Sequence, residues 1–406
     1  MATILKKAFI VGAGMSVGPI VQIIATPWLA RAYSPAEFGA LAIFMTSSLV
    51  LASISCFRHD AAILVVQDSN VDATSQLALL YVLLSSIIGG LLIAIFAPDI
   101  FGKGYAVLAE NQFSLMLAIA GGGAVLVSTA LSMRREEYAI NATIRAIQAP
   151  AYVVLALFFS DSLINGWTNG FIFAGVVSIV YLLICTRLRK VQEITRQAYV
   201  LRKYSLQLTP TFLLDSIALS LPIFFINLHY SQAELGNYSQ VSKLIGGPLL
   251  LVSAVIGQFF LEKSGKNYRA KKSSLRLFKI SIFILVSLGL ITLTMIVIAG
   301  QELVSLILGK GWETGTMYLI VITVPIIFKM IISPITYVFL THEKTKIIAY
   351  WQIAYFFITL IVLSMAASFK ISIELFLIFY GVSEAIMYAI YGILAYRVVK
   401  NLKLPA

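Results

Sequence analysis

Long apolar stretches separated by short polar connections dominate the chain. A helix needs about 20 apolar residues to cross the hydrocarbon core of a membrane. The pattern therefore predicts an all-α integral membrane protein with about 12 transmembrane helices. The predicted spans are approximately 8–30, 37–57, 75–97, 113–133, 141–160, 168–186, 207–228, 237–260, 278–299, 315–339, 347–368 and 373–396.

The positive charges between the spans predict how the chain is oriented. Lys and Arg concentrate in the cytoplasmic loops of membrane proteins. Here 24 of them lie in the N-terminal segment, the even-numbered connections and the C-terminal tail, and only four lie on the opposite side. Both termini are therefore expected in the cytoplasm. The net charge of +12 follows from this distribution, so nucleic-acid binding is not needed to explain it.

Composition agrees with a membrane location and offers little chemistry for catalysis. Hydrophobic residues make up 60% of the chain and charged residues 12%, against about 25% charged in soluble domains. Cys56 and Cys185 lie in apolar runs, where cysteine usually acts as a small buried hydrophobe. No two of the three histidines are close in sequence. We therefore predict no metal site, no cofactor and no catalytic residue.

A heptapeptide occurs twice, as YSPAEFG at 33–39 and as YSQAELG at 230–236. In each copy a serine precedes a glutamate by three residues, which is the capping box of a helix start. The glycine that closes each copy, Gly39 or Gly236, leaves room for close contact between helices. The heptapeptide is thus predicted to be a structural turn between the first and second spans of each of two copies.

A second repeat, FGKGY at 101–105 and LGKGW at 308–312, supports a duplication. Spans 1–6 and 7–12 are then two six-helix lobes with the same orientation, related by a pseudo-two-fold axis along the membrane normal. The predicted domains are an N-terminal lobe 1–186, a basic cytoplasmic linker 187–206 and a C-terminal lobe 207–406. The linker carries six cations and one acid, and an amphipathic helix on the inner leaflet is one possible form of it.

Several weak motifs, in a fixed order, resemble bacterial polysaccharide flippases of the multidrug/oligosaccharidyl-lipid/polysaccharide (MOP) exporter superfamily. Residues 201–260 and 306–346 resemble segments of the second half of these proteins. Residues 30–73 resemble their opening, a Ser-Pro-x-x-aromatic-Gly turn followed by an apolar helix and then by an arginine, an acid and Ala-Ile. The matching residues are Ser34, Pro35, Phe38, Gly39, Arg58, Asp60, Ala62 and Ile63.

The resemblance implies a V-shaped, alternating-access transporter that moves an undecaprenyl-diphosphate-linked oligosaccharide from the cytoplasmic to the outer leaflet. The oligosaccharide would be a repeat unit of O-antigen or a related surface polysaccharide. The resemblance also implies a bacterial inner-membrane location, a cationic central cavity, and a polysaccharide polymerase and a chain-length regulator as further partners.

Four ionisable residues lie inside predicted spans, where charge is costly and usually functional. They are Asp215, Lys243, Lys329 and Glu384. One interpretation is mutual neutralisation, with Asp215 paired to Lys243 and Lys329 paired to Glu384. In the other, the lysines bind the substrate diphosphate and the two acids couple transport to a proton or cation.

Three arginines at the ends of spans are further candidates for diphosphate binding. Arg58 ends span 2, Arg145 begins span 5 and Arg31 ends span 1 on the outer side. A guanidinium can hold two phosphate oxygens at once. Headgroup anchoring is the alternative for each. Arg58 is the first choice because it lies in the family-like segment, although Asp60 is near enough in sequence to neutralise it.

Two other functions remain open. A drug/cation antiporter of the same superfamily is the nearest, but many of those carry an acid in the first span and this chain has none there. A membrane sugar polymerase or ligase would be expected to have a long outer loop with acids or histidines for acid–base chemistry, and all outer loops are short.

Overall fold

In the computed structural model, twelve long helices account for most of the chain. The structure describes the backbone of residues 2–159, 161–312 and 316–400, and side chains there except at 2–16, 94, 97, 98, 100, 101, 103, 211, 215, 316, 317 and 345. The helices are α1 (Ala2–Ala32), α2 (Pro35–Ile54), α3 (Val71–Phe101), α4 (Gln112–Arg134), α5 (Tyr138–Phe158), α6 (Leu163–Cys185), α7 (Val191–His229), α8 (Gln232–Arg269), α9 (Leu275–Leu308), α10 (Thr316–Ile335), α11 (Thr345–Phe369) and α12 (Ile373–Lys400).

Each predicted span coincides with one of these helices, which confirms the all-α membrane architecture. Over the described residues, every helix except α1 is long and apolar enough to cross a membrane. No strand is present in this part of the chain. Two short helices, His59–Ile63 and Ala106–Glu110, lie in the connections after α2 and α3, and a third, Tyr337–Thr341, follows α10.

The repeated heptapeptide forms a capping box in both copies, as predicted. The Glu37 N–H donates to Ser34 Oγ, and the Ser34 N–H donates to Glu37 Oε2 at 2.8 Å. The second copy repeats this at the start of α8, where the Ser231 N–H donates to Glu234 Oε2 at 2.7 Å. Each box satisfies backbone donors that the first turn of a helix leaves free.

The two capping turns also touch each other through their glycines. A Cβ atom built on Gly39 would lie 1.9 Å from the Gln232 carbonyl oxygen, and one built on Gly236 would lie 1.8 Å from the Pro35 carbonyl oxygen. Pro35 and Gln232 occupy the same position in the two copies, four residues before Gly39 and Gly236. Each glycine therefore contacts that position of the other copy. Such a reciprocal contact is what a two-fold relation produces. The heptapeptide is therefore written twice because its copies pack against each other.

The second repeat ends two helices with the same backbone device. Gly102 after α3 and Gly309 after α9 both have φ of +90°, the left-handed conformation that favours glycine. The aromatic residue three positions later is buried in both copies: Tyr105 is 6% exposed and Trp312 is 2% exposed. The repeat thus fixes a helix stop and an aromatic anchor.

A third correspondence, not seen in the sequence, closes α4 and the α10 segment. Glu136 and Glu343, 207 positions apart, both take left-handed φ values of 59° and 58°. Behind them the Glu137 N–H donates to the Ser132 carbonyl at 2.8 Å and the Lys344 N–H to the Phe339 carbonyl at 2.7 Å, the 6→1 bond of a Schellman motif. The two helix ends thus share one backbone geometry, which the end of α8 at Lys271 also has.

Packing divides the chain into two compact units, Met1–Gly236 and Asn237–Ala406. In the first unit α5 packs on α1 and α6, α4 packs on α3 and α6, and α7 packs on α2 and α3. In the second, α10 packs on α9 and α12, and α11 packs on α12. The predicted lobes 1–186 and 207–406 stay a prediction. Helix α7 packs with the first unit.

The basic linker 187–206 is mostly helical and continuous with the seventh span. Helix α7 therefore includes the predicted span 207–228 and extends before it, because it begins at Val191 and runs for 39 residues. Pro210 and Pro222 lie inside it, where proline removes backbone hydrogen bonds without ending the helix.

A proline inside α10 shows how the second unit satisfies its backbone in an apolar setting. Pro334 has no N–H to donate to the Met330 carbonyl one turn earlier. Ser253 of α8 supplies the missing bond, because its hydroxyl donates to that carbonyl at 2.9 Å. An unsatisfied carbonyl would be costly in a membrane, so this bond ties α8 to α10.

Candidate functional site

Three basic side chains near the connections of the first unit serve packing. Arg134 donates to the carbonyls of Leu64 and Val66 at 2.6 and 2.9 Å and pairs with Asp68 at 2.7 Å. Arg135 and Arg189 both pair with Asp72, at 3.7 and 3.2 Å. These arginines contact acids and carbonyls at chain turns. Their charges hold the connections of the unit together.

Arg58 is also engaged, which weakens it as the first choice for phosphate binding. It has a left-handed φ of 60° and introduces the short helix His59–Ile63. Its guanidinium pairs with Asp60 at 3.3 Å and lies 3.9 Å from the ring centre of Phe212 in α7. The sequence raised Asp60 as a neutralising partner, and the structure confirms that contact. The role of Arg58 in binding stays a prediction.

Arg145 has no such partner among the described residues. It lies on α5, seven residues from the helix start, and forms no hydrogen bond or ion pair with any residue that the structure describes. Its Nε atom is buried without a hydrogen-bond partner, and so is Nε2 of Gln148, one turn further along. Buried polar atoms are normally satisfied. These two donors therefore have no acceptor among the described residues.

Arg31 and Lys243 have less distinctive surroundings. Arg31 is exposed, and its Nη1 donates to the Pro27 carbonyl at 2.8 Å in the last turn of α1. This is a common position for a basic residue at a helix end. Lys243 is half-buried on α8. Asp215 lies on α7, but its side chain is outside the described residues, so its pairing with Lys243 stays a prediction.

Lys329 lies half-buried on α10 between Pro325 and Pro334. It is six residues from the end of the helix, or about 9 Å at 1.5 Å per residue. Its ammonium group forms no hydrogen bond or ion pair within the described part of the chain. The ion pair with Glu384, one of the two interpretations of these residues, is therefore not formed among the described residues.

Glu384 is instead held by tyrosines of the second unit. The Tyr355 hydroxyl donates to its Oε1 at 2.5 Å, and Tyr380 precedes Glu384 by one turn of α12. Tyr238 and Tyr388 are close enough to interact with its charge. Donors from tyrosine replace the expected lysine, so the carboxyl group is satisfied without a cation.

The tyrosine surroundings of Glu384 were missed in the sequence, although a signal was present. Tyr380, Glu384 and Tyr388 are four residues apart on α12 and so share one helix face. Trp351 extends the cluster by stacking on Tyr355 and Tyr391, with ring centres 5.1 and 4.2 Å apart. A helical spacing of aromatic residues around a lone acid in a span predicts such a cluster.

Metal binding finds no support in the residues that the structure describes. No group of three or more His, Cys, Asp or Glu side chains in these ranges is arranged to hold an ion. In the first unit, Arg145 and Gln148 offer hydrogen-bond donors that have no described partner. In the second unit, Lys329 offers an ammonium group without a described partner, and Glu384 offers a carboxyl group beside tyrosine side chains.

His59 gives a prediction about pH. Burial lowers the pKa of its imidazole, whose Nδ1 lies 2.8 Å from the Cys56 carbonyl oxygen and whose Nε2 is buried without a partner. Below its ordinary pKa the unfolded chain takes up a proton that the folded chain resists. Stability is therefore complete above about pH 6.5 and falls as the pH drops through the lower, folded pKa.

We expect the thermal unfolding temperature of the protein in detergent to fall between pH 7 and pH 5, and to fall less in His59→Gln. His342, whose pKa is also lowered by burial, accounts for part of what remains. An identical acid-induced fall in wild type and His59→Gln would contradict this account of His59.

Comparisons with known proteins give the family of the chain. The family described as "Polysaccharide biosynthesis protein" matches residues 28–317. A search of curated protein sequences finds no match. Among solved structures, the chain is similar to the lipid II flippase MurJ in an inward closed conformation, with 14% identity, a TM-score of 0.70, and coverage of 97% of this chain and 86% of that one.

Two multidrug transporters share the fold as well. An inward-facing MATE family transporter of the MOP superfamily has 13% identity and a TM-score of 0.62, with 94% of this chain and 95% of that chain covered. A mutant of the Vibrio cholerae MATE transporter VcmN has 13% identity and a TM-score of 0.57, with 98% and 97% covered. The chain therefore belongs to the polysaccharide biosynthesis protein family and has the fold of the MOP superfamily of membrane transporters.

Proposed function

We propose that this protein is a flippase that moves an undecaprenyl-diphosphate-linked oligosaccharide from the cytoplasmic to the outer leaflet by alternating access. The oligosaccharide is a repeat unit of O-antigen or a related surface polysaccharide. The observation that carries the proposal is a pair of unmatched cations inside spans. Arg145 and Lys329 make no hydrogen bond or ion pair with any described residue, whereas Arg134, Arg135 and Arg189 each pair with an aspartate.

The chemistry of a diphosphate suits these two side chains. A planar guanidinium can donate two parallel hydrogen bonds to phosphate oxygens, and an ammonium group acts as a compact positive charge. Arg145 and Lys329 each lie about 10 Å along the helix from an end that the loop charges predict to be cytoplasmic. A lipid headgroup entering from the cytoplasmic leaflet meets that depth first.

The remaining candidates take supporting roles in the proposal. Arg58 contributes to the diphosphate site when Asp60 is displaced, Lys243 adds a further positive charge and Arg31 receives the headgroup on the outer side. The family match and the shared fold of a lipid II flippase support a lipid-linked substrate. The undecaprenyl carrier, the sugar, the inner-membrane location, and a polymerase and chain-length regulator as partners belong to the proposal.

Glu384 is the proposed site of ion coupling, with Asp215 as the second candidate. A carboxyl group that is hydrogen-bonded by Tyr355 and has no cation beside it among the described residues can exchange a proton without breaking an ion pair. We expect Glu384→Gln to remove the dependence of transport on an ion gradient. Tyr388→Phe, which keeps the ring, is expected to retain it. Unchanged gradient dependence in Glu384→Gln, measured in vesicles, would assign coupling elsewhere.

A drug/cation antiporter is the second candidate, because multidrug transporters share the fold. The two functions are separated by deleting the gene and measuring two quantities in the same cells. The flippase proposal predicts loss of surface polysaccharide, accumulation of the lipid-linked repeat unit and unchanged sensitivity to cationic dyes. Normal polysaccharide together with increased dye sensitivity would favour the antiporter.

A further inference from the structure

An apolar groove lies in the second unit between α9, α10 and α12. Its volume is about 570 Å³, which is within the usual range for a small-molecule site. Two glycines in its wall, Gly289 and Gly392, pack where a side chain would not fit: a Cβ on Gly392 would lie 2.6 Å from Ile332 Cδ1. The wall also includes Phe278, Val286, Leu293, Ile331, Ala389 and Tyr396.

The groove is long as well as apolar. Along α9 it reaches from Phe278 to Leu293, fifteen residues or about 22 Å at 1.5 Å per residue. Half of a typical hydrocarbon core is only about 15 Å. An occupant that fills the groove therefore extends beyond the depth of one leaflet, which favours a single long chain over the tails of an ordinary phospholipid.

One end of the groove carries positive charge. A smaller recess of about 320 Å³ shares Phe278 and Tyr396 with the groove and adds Lys279 to the wall. Arg397 and Lys400 belong to the last turn of α12, and the first turn of α9 contains no acid. We call Lys279 the basic end of the groove; Arg397 and Lys400 follow the groove residue Tyr396 along α12. An anionic headgroup attached to an apolar chain is complementary to this arrangement.

We propose that the groove between α9, α10 and α12 binds the isoprenoid chain of the polyprenyl phosphate carrier, with its phosphate at the basic end. The inference deepens the proposed function, on which it rests, by assigning a separate site to the carrier lipid. The carrier occupies this groove outside the translocation step, whereas Arg145 and Lys329 bind the diphosphate of a substrate in transit.

Photochemical labelling tests this site directly. The full-length protein is reconstituted in vesicles of phosphatidylethanolamine and phosphatidylglycerol with a polyprenyl monophosphate that carries a diazirine in its chain. We expect label on peptides containing 278–293 and 389–396, displaced by unlabelled polyprenyl monophosphate. Equal displacement by added phosphatidylglycerol, or label confined to other helices, would overturn the proposal.

Substitutions in the wall provide the matched test. Val286→Phe fills the groove from α9 and is expected to reduce labelling several-fold. Val297→Phe places the same side chain on the same helix at an exposed position that does not line the groove, and is expected to leave labelling unchanged. Ala389→Leu fills the groove from α12 and serves if Val286→Phe is poorly folded. Unchanged labelling in a folded Val286→Phe or Ala389→Leu protein would contradict the site.

The charged end is tested in the same way. Lys279→Gln is expected to lower labelling by the phosphate-bearing probe, whereas Lys272→Gln, in the connection before α9, is expected to have no effect. Equal labelling of both would remove the phosphate from the basic end. A failure of this site can be distinguished from a failure of the proposed function. Transport without specific labelling would contradict only the binding site in the groove. Specific labelling without transport would contradict only the flippase function.

Discussion

Arg145→Ala is expected to abolish export of the surface polysaccharide while leaving the amount of protein in the membrane unchanged. Arg145 has no described partner to lose, so its removal leaves no acid or carbonyl of the fold unsatisfied. A hydrogen bond to a charged group contributes about 1.5–3 kcal/mol. Loss of two such bonds to a diphosphate therefore lowers affinity by about a hundredfold or more.

Comparison with other arginines separates this role from a structural one. Arg145→Lys keeps the charge but cannot bind two oxygens at once, so it is expected to retain part of the export. Arg134→Ala is expected to do the reverse of Arg145→Ala: it frees Asp68 and the carbonyls of Leu64 and Val66, and so lowers the amount of folded protein. Immunoblots of membranes and of extracted polysaccharide give both quantities. Normal export by Arg145→Ala would remove this residue from the mechanism.

The largest effect on stability is expected at the contact between the repeated turns. In Gly39→Ala the new methyl group would lie 1.9 Å from a backbone oxygen, and in Gly236→Ala 1.8 Å. Ordinary overpacking costs about 1–3 kcal/mol because side chains can shift. Here the neighbour is the backbone of a capped helix start, so we expect at least the upper end of that range from either variant.

Gly89→Ala is the matched control for this prediction. Gly89 is also in a helix, but a Cβ there would meet nothing within 4 Å. Alanine favours a helix over glycine by up to about 1 kcal/mol, so this variant is expected to be neutral or slightly more stable. Thermal unfolding in detergent measures all three. If Gly39→Ala and Gly236→Ala unfold at the temperature of Gly89→Ala, the turns do not pack as described.

The sequence was sufficient for features set by local chemistry. The capping boxes at Ser34 and Ser231 are correct because a serine and a glutamate three residues apart satisfy each other without help from the rest of the fold. The helical spans follow from their length and apolar character.

Features that depend on helix rotation were not available from the sequence. Arg58 and Arg145 look alike as span-end arginines, but only one has Asp60 and a Phe212 ring within reach. The similar depth of Lys329 and Glu384 in their spans suggested an ion pair between them. In the structure the Tyr355 hydroxyl donates to the Glu384 carboxylate instead. The composition changes between the linker 187–206 and span 7, so the sequence predicts two separate segments. Helix α7 nevertheless continues from Val191 through span 7.

The most direct test of the account is translocation by the purified protein. Vesicles containing it are loaded with an undecaprenyl-diphosphate-linked oligosaccharide, and exposure of the sugar to an added membrane-impermeant glycosidase is followed in time. The account predicts complete cleavage with wild-type protein, but with Arg145→Ala and in protein-free vesicles only the fraction initially facing the enzyme. Equal cleavage with wild type and Arg145→Ala, or none beyond the protein-free level with wild type, would contradict it.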